Sequence, residues 1–238
     1  MTQCAQTSKT QIRLPYLLAM VFLLVLSSPL PVAAKPQNIT ESEMKLIPSY
    51  CPDTMGFGYG DAFYNTSPRA PHWVGLMGKG FWAMHHYCWA RINMNRAQRA
   101  GVPLQNKRAL WDSALNDYQY VINNVPNDFI LFPEVYTRQG EVELLLGQPN
   151  QAQESFSRAR QLKPDYWPAY ANWAEFLIKT GKRAEALKVV IAGLEYSPNA
   201  KVLLELFKIL GGKPTDIPTP KQKHEGPPPS DPVTNPEN

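Results

Sequence analysis

Two consecutive stretches of equal length decide the fold: PEVYTRQGEVELLLGQPNQAQESFSRARQLKPDY (133–166) and WPAYANWAEFLIKTGKRAEALKVVIAGLEYSPNA (167–200). Small, aromatic and turn-forming residues recur in them with a period of 34 residues, which is the mark of a repeated structural unit. The matching pairs are Tyr136/Tyr170, Gly140/Ala174, Gly147/Gly181, Ala152/Ala186, Phe156/Val190, Ala159/Gly193 and Pro164/Pro198.

Each stretch predicts a hairpin of two helices. The shared glycine, Gly147 or Gly181, marks a tight turn between them, and proline ends the second helix because it cannot continue a helix interior. Small residues let the paired helices approach closely, and bulky residues such as Phe156 fill the gaps between neighbouring hairpins. One hairpin cannot bury its apolar face alone, so the units must stack on one another.

This combination of period and residue classes resembles the tetratricopeptide repeat family over residues 133–200. The resemblance implies an all-α solenoid of helical hairpins that binds a peptide or protein on the concave face formed by the first helices. The first repeat departs from the family pattern at Gln139 and Glu143, where large apolar residues are usual.

The pattern continues more weakly on both sides. KRALWDSALNDYQYVINNVP (107–126) predicts the second helix of a degenerate hairpin that spans 79–126 and has its first helix at 79–98. Downstream, the segment 201–211 predicts a final helix that covers the exposed edge of the last repeat.

The two ends of the chain differ from the repeats in composition. Residues 1–34 carry a basic start, the apolar run LLAMVFLLVL (17–26) and small residues before the end, as in a secretory signal. An uncleaved anchor is the alternative, but ten apolar residues are fewer than the ~20 that a span needs. Residues 35–78 are rich in glycine, proline and aromatics and predict an irregular N-terminal cap. Residues 212–238 are rich in proline and predict a disordered tail.

Charge and motifs exclude several functions. Cleavage after Ala34 would remove Lys9 and Arg13 and no acid, so the formal net charge would fall from +4 to +2. That surplus is too small to predict nucleic-acid binding, and no later segment is apolar enough to predict a membrane span. The sequence contains no phosphate-binding loop, catalytic carboxylate pair or Ser/His/Asp signature. An enzyme and a bound cofactor are therefore not expected.

The stretch FWAMHHYCWA (81–90) carries the chemically reactive side chains. On a helix, Phe81, His85 and Cys88 share one face, whereas His86 is turned ~100° away from it. The shared face predicts that His85 and Cys88 point toward packed surface.

Several interpretations of these side chains are open. A disulfide between Cys51 and Cys88 would fasten the cap to the first helix, as an even number of cysteines in a secreted chain favours. Alternatively, Cys51, His72, His85 and Cys88 would form a zinc site, although their spacing matches no compact Cys/His pattern. Cys88 as a nucleophile activated by a histidine, and free thiols, are the remaining alternatives. We prefer the disulfide.

The family resemblance also implies a set of partner-binding residues on the first helix of each repeat. Arg138 and Asn172 would hold a peptide backbone or a carboxylate, and the glutamates would favour a basic or mixed-charge ligand. The full set is Glu134, Arg138, Glu141, Asn172, Glu175 and Lys179.

The predicted function is that of a non-catalytic interaction module, a scaffold or assembly factor that binds a protein or peptide partner in the cell envelope. The predicted location is secreted, and periplasmic in a Gram-negative bacterium. The alternative is a metal- or haem-handling protein that uses the His/Cys/Trp-rich region 72–89. Neither the partner nor the oligomeric state follows from the sequence.

Overall fold

The computed structural model describes residues 35–57, 67–217 and 219, and this part of the chain contains helices and turns but no β-strand. The predicted all-α class is confirmed. The α-helices are α1 (Glu41–Met44), α2 (Ala70–Met77), α3 (Met84–Ala97), α4 (Leu104–Asn124), α5 (Phe132–Leu145), α6 (Pro149–Leu162), α7 (Trp167–Lys179), α8 (Arg183–Leu194) and α9 (Lys201–Ile209). Short 3-10 turns lie at Cys51–Asp53, Gly78–Ala83 and Pro214–Asp216.

The helices pack in successive pairs. α3 packs on α4, α5 on α6 and α7 on α8, while α9 lies against α7 and α8. The turns after α5 and α7 contain Gly147 and Gly181, whose φ values are 78° and 79°. Glycine adopts this left-handed backbone without a steric penalty. Two residues 34 positions apart therefore end the first helix of their hairpins in the same way.

Close packing within a hairpin depends on the small residues of the repeat. A Cβ atom at Gly140 of α5 would lie 2.9 Å from the ring of Phe156 of α6. Phe156 is fully buried, so its ring has no room to move away. The helices approach to this distance only because position 140 has no side chain.

The two departures from the family pattern in α5 form a buried polar cluster. Gln139 Nε2 donates to Glu143 Oε1 at 2.8 Å, and Ser155 Oγ of α6 donates to Glu143 Oε2 at 2.7 Å. All three residues are buried. Buried polar groups require hydrogen-bond partners. Gln139 and Ser155 each donate one hydrogen bond to the Glu143 carboxylate, so the polar residues at positions 139 and 143 occur together.

The N-terminal segment is more regular than predicted. Residues 35–78, expected to be irregular, contain α1 and α2. Pro71 lies in the first turn of α2, where a missing N–H is tolerated, and Gly78 ends the helix with a φ of 63°. Pro71 and Gly78 thus mark the two ends of α2.

The first helix of the degenerate hairpin also begins later than predicted. Residues Gly78–Ala83 form a 3-10 turn, and α3 starts at Met84. Gly80 lies so close to the ring of Phe129 that a Cβ atom would collide with it. The backbone at Gly80 thus packs against the ring of Phe129 within the 3-10 turn that precedes α3.

Two buried carboxylates join the N-terminal segment to the helices. Glu43 accepts hydrogen bonds from Arg96 Nε and Arg99 Nη2, each at 2.6 Å, near the end of α3. Asp53 accepts from Trp73 Nε1 of α2 at 2.6 Å and from Arg69 Nε at 3.1 Å. Charge-assisted bonds of this kind are stronger than neutral ones, so they hold a segment that has little regular structure.

The predicted signal at 1–34 lies outside the described residues, as does the predicted tail after residue 217, apart from residue 219. The first residues of that tail form the turn Pro214–Asp216. Within the part of the chain that is described, no helix has both the length and the apolar character needed to cross a membrane.

Candidate functional site

Cys51 and Cys88 form a disulfide, and both residues are fully buried. Their sulfur atoms are bonded to each other, so neither is a thiolate that binds metal or attacks a substrate. The alternative ligand set of Cys51, His72, His85 and Cys88 is therefore not assembled. No group of three or more metal-binding side chains occurs among the described residues.

The adjacent histidines are both buried, which corrects the expectation that His86 turns away from packed surface. His85 Nδ1 lies 2.8 Å from the carbonyl oxygen of Trp82, and His86 Nδ1 lies 2.6 Å from Asp117 Oδ1 of α4. The ring of Tyr120 stacks on His86 with centroids 3.7 Å apart. α3 is covered on more than one side, because α4 packs over the face that a single stripe would leave exposed.

Burial disfavours the charged form of both members of the His86–Asp117 pair. Desolvation lowers the pKa of His86 and raises the pKa of Asp117. Burial likewise lowers the pKa of His85. The hydrogen bond between His86 and Asp117 joins α3 to α4.

A groove crosses the first helices of the three hairpins, α3, α5 and α7. It encloses about 390 Å³, within the usual range of ligand sites. Four of the six residues predicted to bind a partner line it: Glu141, Asn172, Glu175 and Lys179. The other lining residues are Met94, Gln98, Leu144, Leu145 and Phe176.

The remaining predicted residues, Glu134 and Arg138, lie earlier on α5 and form a polar chain. Tyr87 of α3 donates its hydroxyl hydrogen to Glu134 Oε1 at 2.5 Å. Arg138 Nη1 lies 3.0 Å from Glu141 Oε1, and Asn172 Nδ2 of α7 donates to the same oxygen at 2.6 Å. Glu141 therefore links α5 to α7 at the edge of the groove.

These polar contacts change the roles expected of two residues. Arg138 and Asn172 were predicted to hold a ligand, but in the structure both donate to Glu141. Burial acts to lower the pKa of Arg138, but Glu141, Tyr87 and Tyr118 together outweigh burial and raise the pKa above its ordinary value. Glu175 and Lys179, which are exposed, are the charged side chains available to a partner. Sequence reasoning missed the apolar contribution of α3, whose repeat pattern is too weak to align.

Comparison with known proteins agrees with the helical hairpins. A family model described as tetratricopeptide repeat matches residues 143–204. The chain is similar to the human (Homo sapiens) protein named Protein O-mannosyl-transferase TMTC2, with 26% identity over 96 residues. That match covers 40% of this chain and 11% of the human protein. No solved structure gives a significant match. The family match supports a tetratricopeptide repeat over residues 143–204 of this chain.

Proposed function

We propose that this chain is an exported, non-catalytic interaction module that binds an extended segment of a protein partner in the groove across α3, α5 and α7. Tetratricopeptide repeats are protein-interaction units, which supports the general role. The observation that carries the specific proposal is the groove itself, because three separate hairpins supply its lining.

The chemistry of the groove favours a particular partner segment. Leu145 is 47% exposed and lies beside the part-buried Leu144 and Phe176, so it offers apolar surface that a partner side chain would cover. Glu175 and Lys179 lie one helical turn apart on α7, and neither forms an ion pair within the described residues. An apolar anchor residue flanked by charges of both signs would match this surface.

The proposal assigns no catalytic activity to the chain. The human relative is a transferase by name, but the match covers 11% of it. Its activity therefore does not carry over to this chain. The buried His86–Asp117 hydrogen bond joins α3 to α4, which favours a structural role for His86.

Export is supported by the composition of residues 1–34 and by the buried disulfide, since disulfides persist in oxidising compartments. We expect the mature protein, isolated from its own cells, to begin at Lys35. N-terminal sequencing of the isolated protein tests this directly. A chain that retains residues 1–34 would contradict cleavage, and a location in a reducing compartment would contradict export.

The groove is tested by photo-crosslinking in the cells that produce the protein. A photoreactive amino acid at Leu145 is expected to capture a partner that the same group at Glu154, exposed on α6, does not capture. The exchange Glu175→Lys with Lys179→Glu should reduce capture at Leu145 at least fivefold, because it inverts the charges offered to the partner. Glu154→Lys is the matched control and should leave capture unchanged. Equal capture at Leu145 and Glu154 would place the contact elsewhere. Capture at Leu145 that the charge exchange leaves unchanged would do the same.

A further inference from the structure

A second groove also involves α7 and shares Phe176 with the groove described above. α6 and α8 both pack on α7 and leave a groove of about 520 Å³ between them. Its floor is formed by Trp173, Phe176 and Leu177 of α7. The second helices of two adjacent repeats therefore form its walls.

This groove contains the guanidinium of Arg160, which has no anionic partner among the described residues. Arg160 of α6 lines it, and the Nη1 atom of Arg160 is buried without a hydrogen bond. No carboxylate lies within salt-bridge distance of Arg160 among the described residues. Its guanidinium lies 5.4 Å from the centroid of the Tyr170 ring, a contact that offsets only part of the cost of desolvating a charge.

The surroundings of Arg160 attract negative charge. Lys182, which precedes α8, and Lys188 of α8 also line the groove, together with one carboxylate, that of Glu185. Burial lowers the pKa of Arg160, since no neighbouring anion compensates the lost hydration. An incoming carboxylate would supply the bonds that the guanidinium lacks, because Arg matches carboxylate geometry with two parallel N–H groups.

The dimensions favour a peptide over a single small acid. Asn150 and Arg160 both line the groove and lie ten residues apart on α6, which corresponds to about 15 Å of helix. An extended chain of four or five residues has this length at about 3.3 Å per residue. Asn150, Gln153 and Thr180 lie along the groove and carry side chains that hydrogen-bond peptide backbone.

We propose that the groove between α6 and α8 binds an extended acidic peptide, with a carboxylate on Arg160 and an apolar side chain on Trp173 and Phe176. This groove shares Phe176 with the groove across α3, α5 and α7, and their other lining residues differ. The chain would then carry two peptide sites, one on the first helices and one between the second helices.

The test uses two pools of fluorescent pentapeptide amides and the full mature protein. Each peptide of the first pool contains one Asp, at any of its five positions, and its other four residues are drawn from Leu, Ile, Val and Phe. The matched pool has Asn in place of Asp. Fluorescence anisotropy should give a Kd at least fivefold lower for the Asp pool. Arg160→Met should reduce this preference to less than twofold. Arg158→Met, an exposed position on the same helix, should preserve it.

Two further variants complete the test. Arg160→Lys keeps the charge and should retain a weaker preference for Asp, so the proposal stays testable if Arg160→Met does not fold. The exchange Glu175→Lys with Lys179→Glu should leave the preference unchanged, which separates this site from the first groove. Equal binding of the two pools, no binding of either, or an Arg160→Met protein that still prefers Asp would overturn the proposal.

Discussion

Replacing Cys51 and Cys88 together by serine is expected to lower the free energy of unfolding by about 4 kcal/mol. The disulfide closes a loop of 37 residues, and without it the unfolded chain regains the entropy that the closed loop excludes. The disulfide also joins the segment before α2 to the buried centre of α3. Urea denaturation of the variant and of the oxidised protein, followed by helical circular dichroism, measures the difference.

Reduction of the unaltered protein is the control for the two substitutions. Reduced protein and the double variant should unfold at the same urea concentration, and the oxidised protein should have an intact mass lower by two hydrogens. Equal unfolding free energies before and after reduction would contradict the prediction. They would mean that the N-terminal segment detaches without affecting the helices.

Glu43→Gln is expected to lower the free energy of unfolding by about 3 kcal/mol at neutral pH. The hydrogen bond from Arg96, aided by Thr40, lowers the pKa of the Glu43 carboxyl from 4.5 to about 2. The carboxylate is 2% exposed and also pairs with Arg99. The amide keeps the size of the side chain but removes the charge that both guanidinium groups bind. Chemical denaturation of the two proteins at pH 7 measures the loss.

Glu41→Gln, two residues away, is the matched control. Glu41 pairs with Lys45, but their side chains are 87% and 73% exposed, so this change should cost less than about 1 kcal/mol. The contribution of Glu43 also depends on pH. Because the folded-state pKa lies below the ordinary value, the contribution is complete above pH 4.5 and is lost as the pH falls toward 2. A difference between wild type and Glu43→Gln that stays constant down to pH 2 would contradict this assignment.

The repeats were predictable because their information is local. Gly147 and Gly181 recur at fixed spacing and set the turn of their own hairpins, and Gly140 packs on Phe156 of the same hairpin. The N-terminal segment was predicted less well. α2 is a single short helix bounded by Pro71 and Gly78, so its composition resembles that of a loop.

Four of the residues predicted to bind a partner lie in one groove across the first helices, and their role in binding stays a prediction. The repeat register indicated Glu141, Asn172, Glu175 and Lys179, which line it, because residues at equivalent positions of stacked repeats face the same side. The register did not indicate that Arg138 and Asn172 donate to Glu141. Which donors remain free depends on the side chains that reach them from the adjacent helix.

The sequence by itself determined the all-α class, the 34-residue period and the helical hairpins, since these follow from residue size and backbone preference along one segment. Only the tertiary structure decided the partners of the buried titratable groups. His86 meets Asp117 at a separation of 31 residues, and Glu43 meets Arg96 at 53. Within the described part of the chain, Arg160 meets no carboxylate. Such pairs depend on which distant helices pack together, because the free energy of a buried charge is set by the atoms that surround it.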